Sequence, residues 1–481
     1  MKVLLLSPNT LTVPYPVYPL GLDYVAGAMG PQHQVQRYDL NCGSLDGLAH
    51  LLKEFEPELI GIACRNIDNT EAGSPRFFLD QHRQLVQWLR RHSQAVLVCG
   101  GSGFTIMPEA VYAALEVDYG IAGEGERFAL LADALERGED PGHIPGLIGP
   151  GGLSRPVLPW QGERRRSLAL SEQRDFYLER GGMLNLQTKR GCSFRCIYCP
   201  YPHIEGRSHR LIAAGEVAAT ALALEEAGAK YLFITDSAFN SDVRHSLAVA
   251  RAFKASGLSI PWGAFFAPLR PSEHYFEVMA EAGCRHVEFG TESLSRAMLR
   301  TYRKPFSPED VYAAHESAKA AGLHVAHYFL LGGPGESAET VQESLERIEL
   351  LKAAAIFFFI GIRIYPGTEI HNIAVQRGKI DAHTDLLYPV FYSTSAIDRG
   401  QIEAMVLKQA QGRINWLVGS GGDAAAALVG RMHARGRVGP LWEHLARSVA
   451  QDKGSETNRD DNGLASLYTY RRLTNPFSQQ Q

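Results

Sequence analysis

Cys192, Cys196 and Cys199 lie in the run Lys-Arg-Gly-Cys-Ser-Phe-Arg-Cys-Ile-Tyr-Cys-Pro, spaced C-x3-C-x2-C. Three thiolates on one short loop can hold three irons of a 4Fe–4S cluster, since cysteine thiolates are the usual protein ligands of such clusters. The fourth iron then has no protein ligand. An open iron can bind a small molecule and reduce it. Zinc is the alternative. A tetrahedral zinc needs a fourth ligand, for which His203 and His209 are near enough in sequence. Cys42, Cys64, Cys99 and Cys284 have no partner at ligand spacing and read as buried small hydrophobes.

The elements that must carry this loop read as alternating strands and helices. Residues 1–145 give apolar strands at Val3–Ser7, Gln34–Tyr38, Leu59–Ala63, Ala95–Cys99 and Tyr119–Ala122, with helical patterns at Leu79–His92 and Phe128–Arg137 between them. That order predicts an α/β domain with a doubly wound, Rossmann-like parallel sheet and ligands at the carboxyl ends of its strands. Residues 146–180 are rich in Pro, Gly and Arg and read as a linker. Residues 181–375 begin a second alternation, with strands at Leu184–Thr188, Lys230–Thr235, Trp262–Phe266, His286–Phe289, Val325–Leu331 and Ile356–Ile362. Six strand–helix units predict a partial (β/α)6 barrel with its chemistry on the loops after the strands. The cysteines follow the first of these strands. Residues 376–450 read as a small helical region, at Gln401–Val418, Ala424–Arg435 and Pro440–Val449, and residues 451–481 as a disordered tail.

Bulk composition narrows the function classes. Lys plus Arg total 48 against 52 Asp plus Glu in 481 residues, which gives no basic field for nucleic acid. The apolar start at Val3–Leu6 is too short for a signal segment, and no apolar run is long enough to span a membrane. Reduced thiols around a cluster point to the cytoplasm.

Several segments carry a family resemblance. The cysteine spacing, with Tyr198 as the aromatic before the third cysteine, resembles the cluster motif of radical S-adenosylmethionine (SAM) enzymes. Gly332-Gly333-Pro334-Gly335-Glu336 and Arg363-Ile364-Tyr365-Pro366-Gly367-Thr368 resemble segments of the subgroup that has an N-terminal cobalamin domain. Gly100-Gly101, Pro108-Glu109 and Asp118 to Glu126 resemble that cobalamin domain itself. The chain is therefore similar to cobalamin-dependent radical SAM enzymes of the class B methyltransferase type.

This resemblance implies three cofactors: a 4Fe–4S cluster on Cys192, Cys196 and Cys199, SAM, and cobalamin. For SAM it suggests Tyr198, Asp236, Asn240, Glu292, Ser293, Gly332, Gly333 and Arg363. The family's Gly-Gly-Glu after the second strand is replaced by Thr235-Asp236-Ser237, where helix N-capping is the alternative. For Ser293 the alternative is also a cap, and for Arg363 it is a buried ion pair. For cobalamin the resemblance suggests Arg65 and Asn66 beneath the corrin, with Gly100, Gly101, Gly123 and Glu124 along it. Ser7 to Tyr15 contains no histidine, so no lower cobalt ligand is expected from that segment. The implied reaction methylates an unactivated carbon through a 5′-deoxyadenosyl radical and methylcobalamin. The alternatives are a rearrangement, cyclisation or oxidation with the same cofactors, or a non-catalytic corrinoid- or cluster-binding protein. The implied partners are a small-molecule or lipid substrate and an electron donor such as flavodoxin or ferredoxin. No general acid or base is assigned.

Overall fold

The computed structural model describes residues 1–12, 15–167, 173–419 and 422–445. The expected tail and the end of the helix placed at Pro440–Val449 lie outside the described residues.

The N-terminal sheet contains β1 (Lys2–Ser7), β2 (Gln34–Asp39), β3 (Leu59–Ala63), β4 (Val96–Gly100), β5 (Tyr119–Ile121), β6 (Leu147–Gly149) and β7 (Gly152–Leu153). Its order is β2-β1-β3-β4-β5-β6-β7. The first five strands are parallel, and β6 and β7 add antiparallel at the edge. Val3 to Leu6 are fully buried, as expected of a strand covered by helices on both faces. The sheet does not end near residue 145: Leu147 and Ile148 are core residues despite the surrounding glycines. Strand order reverses between β1 and β3, and ligands of such sheets bind outside the strand ends at that reversal.

The second sheet contains β8 (Met183–Leu186), followed by a short hairpin of β9 (Lys189–Arg190) and β10 (Arg210–Leu211). It continues with β11 (Tyr231–Ile234), β12 (Trp262–Phe266), β13 (Cys284–Glu292), β14 (His324–Leu331) and β15 (Ala354–Ile360). A small pair, β16 (Ile362–Arg363) and β17 (Phe391–Tyr392), precedes β18 (Trp416–Val418). The order β8-β11-β12-β13-β14-β15-β18 is parallel throughout, with β8 and β18 as free edges. This is the expected partial barrel with one strand more. The expected helix Gln401–Val418 is instead a helix at Arg399–Ala410 followed by β18. Gln411 in the left-handed region (φ +50°) caps the helix with Gly412 (φ +76°) after it, and pairing with β15 makes the remaining apolar run a strand.

The two domains share a core. Ile197 of the cysteine loop, Tyr302, Ile362 and Ile364 belong to the same buried cluster as Ile67 and Phe104 of the N-terminal domain. Among the described residues, no helix is long and apolar enough to cross a membrane.

Candidate cluster and cofactor site

The cysteine loop is fixed from three sides. Gly191 has φ +90°, and a Cβ there would stand 2.2 Å from the Ser208 carbonyl oxygen, so β10 can return this close only past a glycine. Cys192 N donates to Gly206 O (3.1 Å), and Ile197 N donates to Tyr302 O (3.3 Å). Ile370 N donates to Ile197 O (2.9 Å). Cys192 is buried, while Cys196 and Cys199 are partly open.

Burial raises the Cys192 thiol and pushes Cys199 up to about 12, and the adjacent Cys196 adds to both. The sulfurs are close enough to feel one another. They do not all lie within 4.8 Å of one another, whereas one zinc at Zn–S of about 2.3 Å requires sulfurs about 3.8 Å apart. Among the described residues the one trio of such donors within 4.8 Å is His33, Asp133 and Glu136, elsewhere on the molecule. Three spread thiolates on one loop fit a multi-iron cluster.

Beside the loop, β13 changes register between Gly290 and Glu292, and Glu292 takes φ +60°. Such a bulge re-aims a side chain next to a site. Here it turns Glu292 toward the cysteine loop, where Tyr198 Oη donates to Glu292 Oε1. Lys304 Nζ donates to the same oxygen (2.7 Å), to Tyr198 Oη (3.2 Å) and to Cys196 Sγ (3.6 Å). Tyr198 and Glu292 were legible as separate candidates. Lys304 was not, because no local spacing links it to a cysteine more than a hundred residues earlier.

The other residues suggested for SAM form a brace around this centre. The Asp236 carboxylate accepts from Thr188 N (2.8 Å), Thr188 Oγ1 (2.5 Å) and Lys189 Nζ (2.9 Å). Asn240 exchanges two hydrogen bonds with Ala267, joining the loops after β11 and β12. The cap of the following helix is Asp242, not Asp236 or Ser237. Ser293 Oγ pairs with Ser344 Oγ (3.0 Å) and accepts from Ser295 N (3.0 Å). Gly332 N donates to Glu336 Oε2 (3.3 Å), and a Cβ on Gly333 would stand 2.4 Å from the Tyr302 ring. Arg363 is engaged within the protein: Nε donates to Asp68 Oδ2 (2.8 Å) and the guanidinium to the carbonyls of Ile364 and Leu386.

At the β1/β3 reversal of the N-terminal sheet lies a shallow cleft bordered by Asn9, Leu11, Arg65, Asn66, Phe78 and His82. Arg65 and Asn66 are exposed within it. Neighbouring protein nonetheless desolvates the guanidinium and lowers its pKa, opposed by Tyr201 and Tyr15. Tyr201 is 40% exposed, yet desolvation pushes its phenol up to about 12, with Cys199 among the charges it feels. The helix Tyr201–Ile204 packs on the helix Ser102–Ile106, whose Gly103 lies against the Arg65 backbone, so the segment after the cysteines reaches the side of the cleft.

A Cβ on Gly101 would meet Cys64 O at 2.7 Å, so this glycine lets the helix Ser102–Ile106 sit on the turn that carries Arg65. A Cβ on Gly100 would meet Ile121 O at an ordinary contact distance (3.4 Å), so close approach does not require that glycine, and Gly123 at φ +90° faces Val157 and Arg127. Glu124 accepts from Arg190 Nη1 (2.9 Å) and Arg210 Nη2 (2.7 Å), joining the loop after β5 to the β9–β10 hairpin. Burial would raise its carboxyl, but Arg190 and the hydrogen bond from Trp160 N outweigh this and hold it below the usual range.

Inside the barrel several inward strand positions are aromatic. Phe265 is 39% exposed and makes edge contacts with Phe233 (5.2 Å) and Tyr328 (6.0 Å), while Tyr328 stacks on Phe357 (4.9 Å). Below them Glu288, 2% exposed, accepts from Tyr328 Oη (2.8 Å) and Trp442 Nε1 (3.0 Å). Burial raises its carboxyl. Tyr328 thus faces the lumen, whereas His327 faces the helices and bonds His315 Nδ1 (3.1 Å) and Thr291 Oγ1 (2.7 Å).

Comparison with known proteins finds matches to two parts of the chain. Residues 186–348 match the model of the radical SAM superfamily, and residues 6–132 match the B12 binding domain. The tryptophan 2-C-methyltransferase of Streptomyces laurentii is 26% identical over 439 residues, covering 76% of this chain and 73% of that protein. The cytidylyl-2-hydroxyethylphosphonate methyltransferase of Streptomyces wedmorensis is 26% identical, covering 82% and 86%. The fold is that of the radical SAM methyltransferase TsrM from Kitasatospora setae, solved with cobalamin and a [4Fe-4S] cluster. That match has a TM-score of 0.81 at 23% identity and covers 93% of this chain and 98% of that one.

Proposed function

Because the chain belongs to the cobalamin-dependent radical SAM enzymes, we propose that it methylates an unactivated carbon of a small molecule bound in the barrel lumen. The observation that carries this reading is that the short helix Tyr201–Ile204, which follows the cysteine loop, packs on the helix Ser102–Ile106, whose Gly103 lies against the Arg65 backbone at the switch-point cleft. The chemistry the groups supply when bound is one-electron reduction at the cluster and methyl delivery at the cobalt.

The chain's own residues do the rest. Cys192, Cys196 and Cys199 hold the cluster and leave one iron to SAM. Arg65, Asn66, Gly100, Gly101 and Gly123 border the space we assign to cobalamin, and Glu124 with Arg190 fixes that space against the cluster loop. The Asp236 and Asn240 braces hold the loops between which we place SAM. The aromatic lumen excludes water and orients substrate above Glu288, which burial favours in its neutral form. Flat walls of Phe265, Tyr328 and Phe357 support a ring-bearing substrate over a lipid chain. We place the reaction in the cytoplasm, with a flavodoxin or ferredoxin as electron donor.

The test is anaerobic turnover of reconstituted protein with methyl-labelled SAM and candidate ring-bearing compounds, products being identified by mass. A product one methyl heavier, formed with S-adenosylhomocysteine, supports the reading. SAM cleavage without a methylated product favours a rearrangement or oxidation. No SAM consumption favours a binding protein.

A further inference from the structure

Lys304 is a buried cation ion-paired with Glu292 (2.7 Å). Its side chain is 7% exposed and lies over the Phe306 and Tyr198 rings (5.5 and 5.7 Å). An ammonium carries three N–H donors. All three have an acceptor here: Glu292 Oε1, Tyr198 Oη and Cys196 Sγ. Tyr198 spends its own proton on Glu292, so its oxygen is free to accept from the lysine.

The backbone holds this arrangement from the other side. Ile197 N bonds Tyr302 O, Arg303 takes φ +56°, and Lys304 N bonds Leu299 O (2.9 Å). Arg303 is itself ion-paired with Glu369. The turn that presents Lys304 is thus laced to the residue after Cys196, and lysine and sulfur are positioned together. A protonated cysteine is a weak acceptor, whereas an iron-bound thiolate is a strong one.

We propose that Lys304 is a positioning residue for the cluster, donating a charge-assisted hydrogen bond to the Cys196 thiolate and setting the potential at which the cluster accepts its electron. Hydrogen bonds to cluster sulfurs and nearby charge are established determinants of that potential. A positive charge at Cys196 stabilises the reduced cluster, which carries one more negative charge, and so raises its potential. Glu292 limits the effect by balancing the lysine. The proposal rests on the cysteine triplet holding a cluster, which is measured first.

The experiment is iron and sulfide analysis followed by an EPR-monitored redox titration of wild type, K304M, K304Q, K304R and E292Q without substrate. With clusters intact, K304M and K304Q are expected to shift the midpoint potential negative and E292Q positive, while K304R stays near wild type. A merely structural role does not produce shifts of opposite sign. Equal potentials in wild type, K304M and K304Q overturn the proposal. So does loss of iron from both neutral variants while K304R loads normally, because the lysine is then needed for assembly and not for tuning. Failure of wild type to load iron sinks the cluster reading itself.

Discussion

Arg363 Nε lies 2.8 Å from Asp68 Oδ2, and neither side chain is more than 3% exposed. Asp68 is in the turn after β3 that also carries Arg65, and Arg363 ends β16 just beyond the barrel strand β15. The pair ties the turn bordering the cobalamin cleft to the barrel. Removing one member leaves a buried charge alone, which costs about 3–5 kcal/mol, whereas replacing both with apolar residues is often close to neutral. R363M is therefore expected to be far less stable in urea than D68L/R363M. Equal losses in the single and double variants show that the ion pair is not what joins the domains there.

Loss of any one cluster cysteine tests the donor set. Wild type reconstituted without oxygen is expected to hold about four irons and four sulfides per chain. C192A, C196A and C199A are each expected to lose the visible cluster absorbance and most of the iron. C284A is the control, since Cys284 is buried on β13 with its thiol raised by burial. A stoichiometry of one zinc, or retention of the cluster in a cysteine variant, overturns the assignment.

The sequence made the strands legible where burial on both faces leaves a continuous apolar run, as at Val3–Leu6 and Ile356–Ile360. β18 escaped because Trp416–Val418 is too short for period to separate strand from helix, and only its pairing with β15 decides. At the site, the cysteine loop is local and its spacing names its chemistry. Lys304 and the Arg363–Asp68 pair are products of topology: they meet partners more than a hundred residues away, and no motif records that. Two adjacent residues on β14, His327 and Tyr328, show the same limit. Alternation says that His327 and Tyr328 face opposite ways, but the helix carrying His315 decides which one faces the lumen.

The histidine pair on the helix side predicts a pH dependence of stability. Burial, aided by the charge of Lys319, lowers His315 from 6.5 to about 4, and burial with His315 lowers His327 as well. A histidine depressed in the folded state binds its proton more readily when unfolded. Its contribution is therefore complete above pH 6.5 and is lost as pH falls from 6.5 toward 4. With one pKa unit worth about 1.36 kcal/mol, His315 alone accounts for about 3 kcal/mol across that window. Urea denaturation at several pH values is expected to show a shallower slope in H315N than in wild type. Identical slopes would falsify a neutral buried His315.

The cobalamin site makes a spectroscopic prediction. The segment after β1 that borders the cleft, including Asn9 and Leu11, offers no histidine. His82 borders it too, with Nδ1 engaged by Phe78 O (2.9 Å) at the start of the helix Leu79–His92, and its Nε2, though it has no hydrogen-bond partner, is buried and not open to the cleft. Burial lowers the pKa of this histidine, with the Phe78 and Ala63 backbone acting against it. That describes a neutral imidazole that packs the helix against the turn after β3. Arg65, a cation with no lone pair to give, stands exposed in the same cleft. Protein-bound cob(II)alamin is therefore expected to give an EPR spectrum without nitrogen splitting from a histidine, and H82N is expected to leave that spectrum unchanged. R65A is expected to weaken cobalamin binding, read by equilibrium dialysis, while leaving cluster content intact. Histidine nitrogen splitting that disappears in H82N places the imidazole on the cobalt and removes Arg65 from the lower face.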